Sequence, residues 1–179
     1  MKGIHEMAFN DKVNPKAKTE FFKIYADVSS TGLAPEWELQ GRGVESWNIE
    51  ENSDISKTTD VLGYVDLERG IAQPTQSGVA IRVRKGSKLA ELLFDAWFTG
   101  DKSKLDAIKI LQKFEFIDGA DESTCKARLE EDVMISINNF SGEAGGFLSF
   151  DIDLHYSNKR KLGTMPKVDG ETITFTEDN

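Results

Sequence analysis

The chain has 179 residues, with 22 Lys and Arg against 31 Asp and Glu, for a formal charge of −9. That is one domain's worth of chain, roughly 150 residues, able to fold without a disulfide or metal, and its 39% hydrophobic and 30% charged composition is that of a soluble globular protein. No apolar run approaches the ~20 residues of a membrane span, the first residues lack a signal-peptide core, and a lone cysteine, Cys125, excludes an intrachain disulfide and fits a reducing cytoplasm.

In chain order, residues 1–19 show no apolar period and read as a flexible arm. Phe21 to Ala26 is a short aromatic strand. Trp37 and Leu39 open a longer strand towards Ile49, and Gly41 and Gly43 within it indicate a bulge or bend. A long polar stretch, Glu50 to Thr75, is strand-capable but reads as polar on both faces. A small core has no use for it; set against another copy of the chain, it forms an extended hairpin or loop. The alternative is a mobile surface loop. Val79, Ile81 and Val83 alternate with polar residues in a further strand.

The period then changes. Leu89, Leu92, Leu93, Ala96 and Trp97 mark one face of a helix over about 87–99, with Ser87 as N-cap and Gly100 as the stop. Ile108, Ile110, Phe114 and Phe116 share one strand parity, with Lys109, Lys113 and Glu115 on the other. Val133, Ile135 and Ile137 form one arm of a long antiparallel hairpin. Leu148, Phe150, Ile152, Leu154 and Tyr156 form the other, and Ser141–Gly146 supplies the turn. Residues 158–170 read as a linker. Residues 171–176 read as a short terminal strand available to a neighbouring subunit. The expected fold is mainly β, a sandwich or open barrel of two antiparallel sheets with one flanking helix.

Catalytic chemistry finds little support. His5 and His155 are isolated surface histidines rather than zinc ligands. Acidic neighbours Asp121 and Glu122 work against activation of Cys125. Gly41-Arg42-Gly43 lacks the third glycine and the following helix of a phosphate cradle. Asp118 to Glu122 is an acidic loop without calcium-loop spacing. Asp151 and Asp153 stand ~6–7 Å apart on one strand face, a separation that suits paired carboxylates, but solvated acids on a polar face are commonplace. Arg82, Arg84 and Lys85 form a basic cluster without the interleaved aromatics of single-strand binders, which fits partner acids on another subunit at least as well as single-stranded nucleic acid. The reading is a non-enzyme with no cofactor and no metal.

The charge is uneven. Residues 1–90 are nearly neutral, while residues 91–179 hold 10 basic against 18 acidic residues. Such a half does not grip nucleic acid, which is held by neutralising phosphates. It also opposes binding to anionic membranes.

The middle of the chain resembles the major tail tube proteins of tailed bacteriophages. Ser56-Lys57-Thr58-Thr59-Asp60-Val61-Leu62-Gly63 is similar to the "T-x-D-I-L-G" block that follows the long first hairpin in tube proteins of phages of Gram-positive hosts. Gln73-Pro74-Thr75-Gln76-Ser77-Gly78 then precedes a strand, and Lys88 to Trp97 stands where these proteins keep their single helix. The resemblance covers about residues 20–157 as the tube domain, with a long hairpin at about 44–67 and a C-terminal extension at 158–179. It departs in the Gln-Pro-Thr-Gln-Ser-Gly segment, which lacks an acidic residue, and in the tail after 157.

The resemblance implies homohexameric rings stacked into a hollow tube, in the virion tail, made in the bacterial cytoplasm. The tape measure protein and DNA pass through the lumen without tight binding, and tail terminator and baseplate proteins are further partners. Candidate subunit contacts are Glu50, Asp54, Ile55, Lys57, Asp60, Leu62, Arg82 and Arg84; Asp151 and Asp153 are a candidate acidic lumen lining. Two alternatives remain: the inner tube of a contractile injection or secretion-like device, and a β-sandwich binding carbohydrate or protein through Trp37, Trp47 or Trp97. A hydrolase built on Asp151 or Asp153 has no further support.

Overall fold

The computed structural model describes residues 8–14, 16–29, 33–40, 48–170 and 172–178. The expected bend at Gly41-Arg42-Gly43, together with His5 and Trp47, lies outside the described residues. In chain order the elements are β1 (Phe22–Asp27), β2 (Trp37–Leu39), β3 (Ile49–Glu50), β4 (Ile55–Thr59), β5 (Val65–Arg69) and β6 (Thr75–Arg82). There follow helix α1 (Lys88–Thr99), β7 (Ile108–Asp118), β8 (Thr124–Ser141), β9 (Ser149–His155), β10 (Lys159–Pro166) and β11 (Thr176–Glu177).

Nine strands form one antiparallel network in the order β2-β1-β7-β8-β9-β6-β3, with β10 also on β8 and β11 on β10; β4 and β5 form a separate two-stranded sheet. The 18-residue β8 belongs to both halves of the network. Its first part pairs with β7 and β10, and its last part pairs with β9. Between them the register slips, with Ile108 opposite Val133 but Ile110 opposite Glu130. The extra residue in β8 includes Asp132, at φ +54°, which makes a bulge and bends the strand. The two halves then face each other across one core. Ile24 and Ala26 (β1), Ile110 (β7), Val133 and Ile135 (β8), Phe150 and Ile152 (β9) and Val79 (β6) meet there. The arrangement is a sandwich rather than a closed barrel.

A second bulge bends β6, where Gln76 opposes Leu154 and Val79 opposes Ile152. Gly78 occupies it at φ +69°, a conformation that costs glycine little.

The helix forms as its periodicity predicts. The Ala90 N–H donates to the Ser87 hydroxyl (3.3 Å), and Gly100 ends the helix in the left-handed region. Leu89, Ala90, Leu93 and Ala96 are buried in the main core. Trp97 differs from expectation: it is 47% exposed at the edge of the stripe, with its ring 4.8 Å from that of Phe140.

The other parity of β7 is also covered. Lys113 and Glu115 are buried, because residues 9–12 and 167–169 fold over the outer face of β1 and β7. From the N-terminal side, Phe9 bridges to Ile117, and the Lys12 ammonium lies 2.8 Å from Glu115 Oε2. From the C-terminal side, Asp169 accepts from the Lys113 ammonium through Oδ1 (2.6 Å) and from the Lys23 ammonium through Oδ2 (2.7 Å). Lys113 also donates to the Lys167 carbonyl (3.0 Å). Burial alone would raise the Asp169 pKa, but the bonds from Lys113 and Lys23 outweigh it and hold the carboxyl below its ordinary range.

Residues 158–170 are therefore not a linker. Lys159–Pro166 is strand β10, paired along its whole length with β8. It contributes Met165 to a second core of Tyr25, Leu111, Cys125, Ala127 and Leu129, against which Ile173 and Phe175 pack. The terminal strand pairs with β10 of its own chain, at Gly163 and Thr164. A Cβ at Gly163 would stand 2.2 Å from the Thr176 carbonyl oxygen, so only glycine admits this approach.

Two outcomes test these packings. Leu93→Asp places a charge in a fully buried position and is expected to unfold the subunit, by several kcal/mol, about 3 or more; an unchanged melting temperature refutes it. Asp169→Asn removes the counter-charge of buried Lys113 and is expected to cost about 2 kcal/mol, below the range for a fully buried pair because Asp169 is partly open to solvent. Because the folded Asp169 pKa is depressed, its contribution is complete above the unfolded value near ~4. It is lost as pH falls through the folded value. Urea melts across that window are expected to show a steeper acid loss in wild type than in Asp169→Asn.

Candidate assembly surface

Every residue from Glu50 to Ile71 is exposed. Inside this excursion β4 and β5 pair only with each other, closed at the base by the Gly70 N–H donating to the Asp54 carbonyl (2.8 Å). Asp60 builds the turn, its Oδ1 accepting from the N–H groups of Leu62 (2.8 Å) and Tyr64 (2.9 Å). Glu50 ends β3 opposite Thr75 and accepts from the Asn48 side chain (3.0 Å). Of the expected contacts, Asp54, Ile55, Lys57, Asp60 and Leu62 therefore belong to one hairpin, and Glu50 stands just outside its base.

The register corrects the reading that this segment is polar on both faces. Ile55 opposes Arg69, Lys57 opposes Leu67, and Thr59 opposes Val65. Directly opposed residues share a face, so Ile55, Val65 and Leu67 form an apolar strip flanked by Lys57 and Arg69. The other face holds Ser56, Thr58, Asp66 and Glu68. The alternation is hard to see in sequence, because Thr59 and two basic residues interrupt the apolar parity. The tip adds Val61, Leu62 and Tyr64, all strongly exposed. An isolated hairpin is marginal in water, and a clustered exposed apolar surface marks a contact site.

Arg82 and Arg84 lie elsewhere, at and beyond the end of β6. The Arg82 guanidinium sits 5.5 Å from the Phe147 ring centroid, and Arg84 reaches Glu38 at 4.0 Å. Asp151 and Asp153 share the outward face of β9, opposite its buried Phe150, Ile152 and Leu154. Asp153 also has a structural task, accepting from the Gly78 N–H of the β6 bulge (2.9 Å). Next to it His155 Nε2 lies 3.1 Å from the Ser136 hydroxyl. Cys125 is fully buried, and burial raises its thiol pKa. Among the described residues no cluster of three His, Cys, Asp or Glu side chains is arranged to hold a metal ion. No described helix is long and apolar enough to cross a membrane.

No protein-family model and no curated protein matches the sequence. Among solved structures, the chain aligns with the sheath/tube terminator of an extracellular contractile injection system, PVC, in its extended state. The TM-score is 0.50 at 14% identity, over 82% of this chain and 94% of that one. The chain shares its fold with a sheath/tube terminator. A chain of the PVC sheath–tube complex in the extended state aligns at TM-score 0.44 and 12% identity, over 81% and 88%.

Sequence reasoning missed Glu38. Its Oε1 accepts from the Ser87 hydroxyl (2.7 Å) and its Oε2 from the Leu89 N–H (2.9 Å). A β2 carboxylate thus caps α1 and complements its N-terminal dipole, tying the helix to the edge of the sheet. A long-range cap of this kind leaves no local signature. Glu38→Ala is expected to lower stability by about 1–2 kcal/mol, measured by chemical denaturation; a change below a few tenths would show the cap to be idle.

Proposed function

We propose that this chain is a structural, non-enzymatic subunit of a hollow tube, assembled through contacts between copies. The observation that carries the reading is the fold shared with a sheath/tube terminator over most of both chains. The exposed amphipathic hairpin supports it, since its apolar strip is left uncovered in the single chain. In this reading six copies close a ring, rings stack, and the hairpin reaches a neighbouring subunit or ring; of the N-terminal arm, residues 9–12 lie on the chain's own β7 instead. Glu50, Asp54, Ile55, Lys57, Asp60 and Leu62 contribute to that contact, with Arg82 and Arg84 on the facing surface.

The cargo follows from the kind of machine. In a phage tail the lumen conducts DNA and the tape measure protein, and tail terminator and baseplate proteins cap the tube. The solved likeness comes from a contractile injection system, which favours the inner tube of such a device as the second reading. In both, Asp151 and Asp153 repeated around the ring axis give a lining that repels a polyanion instead of trapping it.

Negative-stain microscopy of the concentrated protein is expected to show six-fold rings or tubes, roughly 100 Å wide for six domains of this size. Replacing residues 55–69 by two glycines, across the Asp54–Gly70 hydrogen bond, is expected to keep the melting temperature and abolish assembly. A strictly monomeric wild type at high concentration overturns the tube. Tubes from the shortened variant overturn the role of the hairpin.

A further inference from the structure

A groove of about 500 Å³ runs beside the outer face of α1. One wall is helical and carries Glu91, Phe94, Asp95 and Phe98; the opposite wall, after β6, carries Arg84 and Lys85. Phe94 and Phe98 are stacked at 5.9 Å between ring centroids, yet Phe98 is 74% exposed. The groove thus joins a large aromatic surface to an acidic wall, on which Asp95 also meets the Lys104 ammonium at 2.6 Å, and a basic wall, on which Arg84 also reaches Glu38 at 4.0 Å.

The hairpin carries the same three properties in complementary order. One face is apolar and basic (Ile55, Leu67, Lys57, Arg69), and the other is acidic (Asp66, Glu68). Ile55 and Leu67 are also more than half exposed, so hairpin and groove do not cover each other within one chain.

We infer that the α1 groove is the acceptor for the β4–β5 hairpin of a second copy of this chain. The hairpin enters edge-on. Ile55 and Leu67 lie against Phe94 and Phe98, with Lys57 and Arg69 towards Glu91 and Asp95. Asp66 and Glu68 then face Arg84 and Lys85. The reversed orientation sets acid against acid and base against base, which like-charge repulsion disfavours. Hairpin and groove are different patches, so the contact is head-to-tail. Repeated, it closes a ring or propagates a stack, according to the rotation it imposes. The inference rests on the reading of the chain as self-assembling; it adds the acceptor and its polarity.

The test traps the contact by disulfide, which is feasible because the one native thiol, Cys125, is fully buried. Leu67→Cys and Phe98→Cys are made singly and together; both sites are exposed, so both variants are expected to fold. Under mild oxidation, an equimolar mixture of the single variants is expected to give the mixed disulfide at least tenfold faster than either variant alone gives its homodimer. The double variant is expected to give a ladder of covalent oligomers. In parallel, Glu91→Lys with Asp95→Lys is expected to stop assembly, and adding Lys57→Glu with Arg69→Glu in the same chain to restore it. Homodimers forming as fast as the mixed disulfide, or no rescue by charge exchange, overturn the hairpin–groove pairing. If wild type then still assembles, the tube reading survives without it; a monomeric wild type together with a double variant that gives no ladder removes both.

Discussion

The bulge at Asp132 is the constraint on which the rest of the structure depends. Ala127, Leu129, Val133 and Ile135 all lie on odd positions of β8 and in a straight strand would face one side. The inserted residue lets Ala127 and Leu129 close the outer core while Val133 and Ile135 close the inner one. Because β8 also carries the hydrogen bonds to β7, β9 and β10, that local change of face sets the angle between the two halves of the sheet. A left-handed conformation at a non-glycine residue costs roughly 1 kcal/mol. It is held here by strand pairing on both sides and by the Lys159 ammonium against the Asp132 carboxylate.

The outer core depends on that bend and on the chain ends. Tyr25, Leu111 and Met165 would be a bare face of sheet without Ile173 and Phe175 above them. The covering segment is short, and its hold is electrostatic as much as apolar. Asp169 answers Lys113, the one lysine fully buried among the described residues, and Lys126 and Lys161 pair with Asp178, just after the last strand, and Glu177 within it. A buried cation with its partner removed is far costlier than the pair is stabilising, so Asp169 fixes where the C-terminal segment must lie more than it adds stability.

What was legible in the sequence was local. The helix from Ser87 to Gly100, the period-two runs of β6, β7 and β9, and the β8–β9 hairpin follow from periodicity and turn chemistry alone. What was illegible was long-range. Lys113 and Glu115 look solvent-facing until residues 9–12 and 167–169 are known to lie across them. Lys159–Pro166 reads as a linker because Lys159, Arg160 and Lys161 open it, yet each lies beside an acidic residue of β8 or β11. The two faces of the β4–β5 hairpin emerge only from its register, since Lys57 and Arg69 occupy the apolar parity. Asp151 and Asp153 were legible as outward-facing, but the bond from Asp153 to Gly78 required the bulge in β6 to be seen.

The acidic surplus takes on a different meaning in this framework. Several acids are paired within the subunit and so do not belong to the surplus: Glu115 and Asp169 to lysines, Glu130 to Arg128 and Arg160, Asp118 to Lys167. What remains outward on β9 is small, and a monomer gains little from it beyond solubility. The hairpin shows the complementary economy. It separates its basic and acidic residues onto opposite faces at no benefit to its own fold, since both faces are in water and exposed pairs contribute at most about 1 kcal/mol. A separation of charge that does nothing for the single chain acquires a function when a second surface carries the opposite order. The walls of the α1 groove do, with Glu91 and Asp95 across from Arg84 and Lys85. In the proposed assembly the arrangement becomes a property of an interface, in which burial of the apolar strip would supply the affinity and the order of charges would set the direction.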